Sequence, residues 1–150
     1  MLNILYLLTF VVPAPWWLLM IFAPRSPLTR RFTNNYVIFI VLGVAYAVIL
    51  ANAAISLFTS AAQGGPAVDF VSLDGLTRML VNPAFVLIVW LHMITMDLIG
   101  GHWLYHEAMR LNAPQLVSSI CILLTFLVGP FGLMVFVLWR NLVRRQPQTA

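Results

Sequence analysis

The stretch YVIFIVLGVAYAVILANAAISLF, from Tyr36 to Phe58, contains no charged residue and is interrupted only by Gly43, Asn52 and Ser56. A hydrocarbon core about 30 Å thick is crossed by about 20 residues of α-helix, so this run is typical of a transmembrane helix. Because lipid offers the backbone no hydrogen-bond partner, a helix is the form that satisfies its N–H and C=O groups there. The stretch therefore predicts an integral membrane protein.

Apolar runs on both sides of this stretch predict an all-α integral membrane bundle of four transmembrane helices, forming a single domain over residues 1–150. The spans are expected at about residues 4–23, 36–58, 83–105 and 116–139. Pro13 and Pro15 predict a kink in the first helix, and the stretch from Gly129 to Leu133 predicts one in the fourth.

The segments between the spans have the composition of connections. A proline-marked polar segment runs from Ala23 to Asn35, and a second, broken by Gly-Gly-Pro, runs from Thr59 to Phe70. Leucines then recur at helical spacing between Val71 and Leu80, which indicates a short interfacial helix before the third span. The connection from Ala108 to Gln115 is short, so the third and fourth helices are expected to be antiparallel neighbours.

The composition argues against a soluble domain. Hydrophobic residues make up 62% of the chain, charged residues make up 8%, and the mean hydropathy is +0.97. Soluble domains carry about 25% charged residues. All the basic residues are arginines near the ends of the predicted spans, which is typical of contacts with lipid headgroups. We therefore expect membrane lipid, and no nucleic acid, as a partner. The arginines divide evenly between the two sides, so the orientation stays open.

The third span concentrates the ionisable side chains. Its segment WLHMITMDLIGGHWLYHE, Trp90 to Glu107, contains all the histidines of the chain, an aspartate and a glutamate. His92 and Asp97 lie within about 5 Å of the middle of the span, where an ionised aspartate costs about 2.5–3.5 kcal/mol. No arginine lies inside a predicted span. Asp97 is therefore expected to be protonated, hydrogen-bonded across helices or lining a wet cavity.

Ionisable residues inside a membrane often mark functional sites, so His92 and Asp97 are the candidate catalytic residues. An imidazole can accept a proton and a carboxylic acid can donate one. The alternative is that each is a structural residue satisfied by its neighbours. The two side chains point about 140° apart around the helix, so joint action requires a substrate or partners from other helices. The polar candidates there are Tyr46, Asn52, Ser118, Ser119 and Thr125.

His102 and His106 are spaced i, i+4, which can place two imidazoles on one metal ion. A third ligand is not evident, so no metal and no cofactor are expected. The favoured interpretation is that these histidines anchor the helix at the membrane interface beside Trp103 and Tyr105. The Gly100-Gly101 pair predicts close approach of a neighbouring helix, with room for a ligand as the alternative.

Short motifs occur in a fixed order along the chain: FAPRSPLTRR (residues 22–31), VLGVAY (41–46), LDGLTRM (73–79), WLH (90–92), DL (97–98) and YHE (105–107). Together they resemble the abscisic-acid-deficient-four-like family, small four-helix membrane proteins linked in plants to neoxanthin formation. The resemblance covers most of the chain. Within it, His102 stands where the plant-type pattern has an arginine, and His106 stands in place of an amide.

The resemblance implies chemistry on a carotenoid. In the plant members the associated reaction opens a 5,6-epoxide of violaxanthin and forms an allene, which requires an acid at the epoxide oxygen and a base at a vinylic proton. His92 and Asp97 match the family's pattern and are the implied catalytic residues of an intramolecular isomerase. The candidate substrate-binding residues are Tyr46, Asn52, Trp90, Tyr105 and Glu107.

Two other functions agree with the same features. The chain could be a non-catalytic accessory subunit that binds a carotenoid or lipid, or a small transporter, although no inverted repeat is evident. The isomerase and the accessory subunit predict a hydrophobic small molecule, a carotenoid or isoprenoid, as ligand, whereas the transporter requires a water-filled path and a dimer. A homodimer is compatible with the other functions as well, and a purely structural four-helix protein is a further alternative. The apolar N-terminal run is interpreted as a retained helix without a transit peptide, which predicts a multi-pass protein of a bacterial inner membrane.

Overall fold

The computed structural model describes residues 2–63 and 69–144, and the regular elements within these ranges are all α-helices. Their bounds are α1 Leu2–Val11, α2 Ala14–Phe22, α3 Pro27–Thr33, α4 Val37–Ala62, α5 Leu73–Leu80, α6 Pro83–Arg110, α7 Gln115–Val128 and α8 Pro130–Arg144. The all-α prediction is confirmed for this part of the chain. The Gly-Gly-Pro breaker expected at residues 64–66 lies outside the described residues.

Three helical stretches of the described chain are long and apolar enough to cross a membrane: Asn3–Phe22, Val37–Ser60 and Pro83–Arg110. The first of them consists of α1 and α2. The sequence also predicts a full span at about residues 116–139, but this stretch is divided between α7 and α8, each of which is shorter. The fold is therefore compatible with a multi-pass membrane protein, with three full-length apolar stretches and a fourth in two pieces.

The interruption between α7 and α8 has a backbone cause. Gly129 has φ 48° and ψ −104°, a conformation that residues with a side chain avoid. Pro130 then begins α8 and has no N–H to donate back into α7. The Gly129 N–H closes α7 by donating to the Thr125 carbonyl at 2.8 Å. The kink predicted here is confirmed, and it is a complete break.

Prolines interrupt the first apolar stretch. α1 ends at Val11 and α2 begins at Ala14, with Pro13 as the N-cap and Pro15 in the first turn. The Trp16 N–H donates to the Pro13 carbonyl at 3.1 Å, so the hydrogen-bond ladder resumes there. Proline suits a first turn because its missing N–H would have no partner in the helix. The kink predicted from these prolines is confirmed.

Two connections contain short helices. α3 forms within the segment from Ala23 to Asn35, which the sequence indicates only as a connection. Ser26 caps α3 by accepting a hydrogen bond from the Leu28 N–H at 3.2 Å, a contact that stabilises helix starts. The helix predicted from the leucine spacing is confirmed as α5, with Ser72 as its N-cap.

The described residues divide into two compact units. The first comprises Met1–Phe10 and Val37–Thr95, and the second comprises Val11–Tyr36 and Met96–Ala150. α6 contributes its N-terminal part to the first unit and its C-terminal part to the second, and it ends at Arg110 rather than near residue 105.

Each unit contains its own buried apolar side chains. In the first unit these include Ile38, Leu42, Leu87, Ile88 and Leu91, and in the second Trp17, Met20, Leu104, Ile122 and Phe136. In the second unit the Trp17 ring lies so close to Gly101 that a Cβ atom on this glycine would be 2.6 Å from the ring, and one on Gly100 would be 2.9 Å from Leu133. The two glycines therefore serve close packing.

Side chains of α6 and α7 complete the hydrogen bonding of the segment around α2 and α3 in the second unit. The pairs are Ser119 Oγ with the Ile21 carbonyl at 2.6 Å, Tyr105 Oη with the Pro24 carbonyl at 2.9 Å, and His102 Nε2 with the Thr33 carbonyl at 2.6 Å. Carbonyls near the C-terminal end of a helix have no partner within the helix, and these side chains provide one.

We expect Gly129→Ala to destabilise the protein by roughly 1–3 kcal/mol, because alanine avoids this backbone conformation. In addition, its Cβ would lie 2.5 Å from Asp97 Oδ1. Thermal unfolding in detergent measures the loss. Gly43→Ala is the matched control, since a Cβ there meets no atom within 4 Å. Equal melting temperatures for the two variants would contradict the role given to Gly129.

Candidate functional site

The first unit contains a pocket of about 890 Å³, which we call the apolar pocket. It is lined by side chains of α1, α4, α5 and α6, most of them apolar, such as Leu5, Ile49 and Phe85. Ligand pockets span about 300–1,000 Å³ and are mainly apolar with a few polar groups that orient the ligand. This pocket has both properties.

A line of polar side chains runs along one face of α4 into the apolar pocket. Asn52, Ser56 and Ser60 are spaced four residues apart and all line it. The Asn52 side-chain amide donates to the Val48 carbonyl of its own helix at 2.7 Å, which fixes its orientation. Asn52, a predicted substrate-binding residue, thus lies on the pocket wall.

The α5 segment adds two charged groups and an amide that were not among the predicted site residues. Asp69, Arg78 and Asn82 line the apolar pocket beside α5. The only available signal was the LDGLTRM motif, which includes Arg78 but not the two others. Hydrophobic periodicity does not reveal them, because their exposure depends on how α5 packs in the first unit.

Asp69 fixes the start of α5. Its carboxylate accepts hydrogen bonds from the N–H groups of Val71 and Ser72 at 2.9 and 3.0 Å and from the Ser72 hydroxyl. The Ser72 hydroxyl in turn accepts from the Gly75 N–H at 3.0 Å. Hydrogen bonds from Ser72, first of all from its hydroxyl, lower the pKa of Asp69. The residue is therefore ionised at neutral pH and holds the first turn of α5 in position.

His92 and Tyr46 form a ring pair in the first unit, with centroids 5.8 Å apart. Tyr46 lies about one helical turn from Ile49, and His92 about two turns from Phe85, both of which line the apolar pocket. The ring pair therefore lies between α4 and α6, beyond the end of the pocket. His92 is exposed on the surface of the chain, and so it is accessible from outside the unit.

Trp90, another predicted substrate-binding residue, lies in an aromatic cluster of the first unit. Its ring centroid is 5.9 Å from that of Tyr6 and 5.5 Å from that of Phe10. The Trp90 indole N–H is buried and has no hydrogen-bond partner among the described residues. A buried donor without a partner is rare in proteins, and it is available to a polar ligand atom.

Asp97 belongs to the second unit, whereas His92 belongs to the first. Its carboxyl group is half-buried and lies against Gly129, at the break between α7 and α8. No contact between the two candidate catalytic residues is described, and each remains a prediction. The absence of a side chain at Gly129 leaves the space that the carboxyl group of Asp97 occupies.

The histidine pair and Tyr105 differ from the expected interfacial anchors. His102 is 8% exposed and Tyr105 is 1% exposed, because both bind backbone carbonyls inside the second unit. The Thr33 carbonyl can only accept, so His102 Nε2 carries a proton. His106 Nε2 lies 3.2 Å from His102 Nε2, and no cluster of three or more metal-ligating side chains forms in the described chain. His102 therefore ties α6 to α3, and His106 contacts His102 from one turn further along α6.

Glu107 is held by two arginines in the second unit. Arg110 donates to it through two nitrogen atoms at 2.7 Å each, and Arg140 Nη1 lies 3.4 Å from Oε1. The Arg140 guanidinium also stacks over the Trp103 ring, 5.7 Å from its centroid. This network joins α6 to α8, and substrate binding by Glu107 remains a prediction.

The all-helical fold and its three long apolar stretches are compatible with the class of multi-pass membrane proteins, and the first unit contains a largely apolar pocket that polar side chains of α4 and of the α5 segment also line. Residues 4–136 match the family model described as ABA DEFICIENT 4-like, and the chain belongs to this family. This confirms the resemblance drawn from the motifs, and it is consistent with a carotenoid-associated function. No curated protein and no solved structure matches the chain.

The hydrogen bonds to Asp69 predict a pH dependence of α5. The pKa of Asp69 in the folded protein lies below the ordinary aspartate value of about 3.9. The stabilisation of α5 by these hydrogen bonds is therefore complete above that value and disappears as the pH falls through the folded pKa. Amide hydrogen exchange in α5 should therefore be slower in the unchanged protein than in Asp69→Asn at pH 6. The two exchange rates should converge at low pH. Asp74→Asn, an exposed change in the same helix, should show no such difference.

We expect Glu107→Gln to destabilise the protein by about 1–3 kcal/mol, because it leaves the largely buried Arg140 without its counterion. The Glu107 side chain is 12% exposed and that of Arg140 is 21% exposed. Arg110→Gln is the control and should cost less, since the Arg110 side chain is 60% exposed. Chemical denaturation in detergent compares the two. A larger effect of Arg110→Gln would show that the α6–α8 contact is not the important one.

Proposed function

We propose that the apolar pocket binds one end of a carotenoid or related isoprenoid and that the protein isomerises it by opening an epoxide. The observation that carries this proposal is the composition of the pocket: a volume of about 890 Å³, mainly apolar walls, and a polar line of Asn52, Ser56 and Ser60 along α4 in addition to the polar groups beside α5. Membership of the ABA DEFICIENT 4-like family supports the same ligand class.

The polar line fits an oxygenated end group. A xanthophyll ring carries hydroxyl or epoxide oxygens on an otherwise apolar skeleton, and amide and hydroxyl side chains can hydrogen-bond to them. The hydroxyl of the ring would bind the polar line, and the epoxide with the first vinylic carbon of the conjugated chain would lie between α4 and α6, near the rings of Tyr46 and His92. Aromatic side chains suit a flat, conjugated ligand because they offer large apolar contact areas.

The isomerisation is balanced without a co-reactant. A base removes the vinylic proton, its electron pair forms the second double bond of the allene, the adjacent carbon–oxygen bond of the epoxide breaks, and the oxygen takes up a proton from an acid. In the proposal His92 is the base, since its imidazole is accessible. Asp97 is the acid, since a carboxyl group within a membrane is more stable when protonated.

The membrane arrangement belongs to the same proposal. α7 and α8 together cross the bilayer as a fourth, broken span, so that the connections before α4 and after α6 lie on one side. The broken span suits a binding protein, because non-helical backbone at membrane depth occurs where it is buried in protein or lines a cavity. We further propose the cytoplasmic membrane of a bacterium as the location.

A second candidate is binding without turnover. It is favoured by one observation: the polar side chains that line the apolar pocket include neither His92 nor Asp97. An accessory subunit that holds a carotenoid for another enzyme requires the polar line alone. The two candidates therefore differ in which substitutions abolish product.

The test is expression in a host that accumulates violaxanthin, followed by chromatography of the pigments. We expect neoxanthin with the unchanged protein and a loss of at least about 100-fold for His92→Ala and for Asp97→Asn, as for general acid–base residues. Met93→Ala, an exposed change next to His92, is the control and should keep full activity. Asn52→Leu should reduce the carotenoid that co-purifies with the protein.

The outcomes separate the candidates. Binding alone would be supported if carotenoid co-purifies with the unchanged protein, is lost in Asn52→Leu and is never converted to neoxanthin. An inserted protein that neither converts nor retains carotenoid would overturn both candidates.

A further inference from the structure

The second unit contains a separate cavity of about 620 Å³, which we call the polar pocket. Its lining includes Arg25, Arg30, Asn34, His106 and Asn112. It belongs to a different unit from the apolar pocket, and no residue lines both. None of the proposed reaction steps uses it.

The polar pocket is positively charged. Two guanidinium groups face it, and among the described residues that line it there is no aspartate or glutamate. The nearby Glu107 is paired with Arg110 and Arg140 and does not line the pocket. The side chains around the pocket are therefore rich in donors, which favours an anion.

Two side chains of the polar pocket are held in place by the surrounding backbone. Arg25 Nη2 donates to the Ala113 carbonyl at 3.1 Å, which fixes one guanidinium between the connection after α2 and the connection after α6. Tyr105 Oη donates to the Pro24 carbonyl at 2.9 Å and forms part of the pocket wall. A guanidinium that is already held loses less side-chain entropy when it binds an anion.

The position of the polar pocket indicates the kind of anion. Its residues follow the end of the Asn3–Phe22 stretch and surround the end of the Pro83–Arg110 stretch, where apolar helices reach the membrane surface. Phospholipid phosphates lie at this depth, and basic pockets between transmembrane helices bind anionic headgroups. Arginine matches phosphate geometry with two parallel hydrogen bonds.

We propose that the polar pocket is a binding site for a phosphate group, with Arg25 and Arg30 as its charged ligands and Asn34 and Asn112 as neutral donors. The phosphate belongs either to the headgroup of an anionic phospholipid or to a free phosphate compound. Both sources offer the same chemistry to the pocket, and the experiment distinguishes them.

Native mass spectrometry of the full chain in mild detergent tests the proposal with phosphatidylglycerol and phosphatidylcholine at equal concentration. We expect preferential retention of phosphatidylglycerol, reduced roughly tenfold or more by Arg30→Gln, since hydrogen bonds to charged groups are among the strongest in proteins. Arg31→Gln is the matched control, because Arg31 is an exposed neighbour that does not line the pocket. Arg30→Lys keeps the charge and should lose less than Arg30→Gln.

A parallel thermal-shift titration with inorganic phosphate distinguishes the sources. A shift in melting temperature that Arg30→Gln removes and Arg31→Gln preserves assigns the site to free phosphate compounds. Lipid selectivity without this shift assigns it to the headgroup. Equal retention of both lipids with no phosphate shift, or equal effects of Arg30→Gln and Arg31→Gln, would overturn the proposal. Melting temperatures of the variants verify that each is folded.

Discussion

The second unit depends on hydrogen bonds that side chains donate to the free carbonyls of the α2–α3 segment. Prolines and short turns interrupt the backbone ladder there, so carbonyls at Ile21, Pro24 and Thr33 require donors from elsewhere. Within the packed unit water does not reach a buried carbonyl, and each buried polar group left without a partner costs about 1–3 kcal/mol. α6 and α7 provide the donors, and this requirement fixes how these helices pack in the unit.

The same requirement explains why polar residues of α6 are buried within the second unit. His102 and Tyr105 have their donors committed to backbone carbonyls, and Glu107 is committed to two arginines. Other polar side chains face a cavity, namely the polar line of the apolar pocket and the arginines of the polar pocket, although Asn52 and Arg25 among them each also donate to a backbone carbonyl. A polar side chain with a structural partner on the same unit is a weaker candidate for ligand binding than one that faces a cavity.

Much of the fold could be predicted from local sequence, since apolar runs, prolines and leucine spacing act over one or two helical turns. These features located α5, the start of α6 at Pro83 and both helix breaks. The division of the fourth span was predicted only as a kink, because hydropathy does not record that Gly129 adopts a positive φ. Of the site, Asn52 was predicted as a substrate-binding residue and lies on the pocket wall. The place of Asp69 in the same pocket and the burial of His102 could not be predicted, because both depend on residues distant in sequence.

The helix break at Gly129 also bears on how an apolar span accommodates Asp97. α8 begins at Pro130, next to the glycine that Asp97 contacts. A Cβ atom on residue 129 would lie 2.5 Å from Asp97 Oδ1, so a residue with a side chain would displace the carboxyl group. The same residue adopts a positive φ that residues with a side chain avoid. The interruption thus leaves room for an acidic side chain within an apolar segment, and glycine is required there for both the turn and the contact.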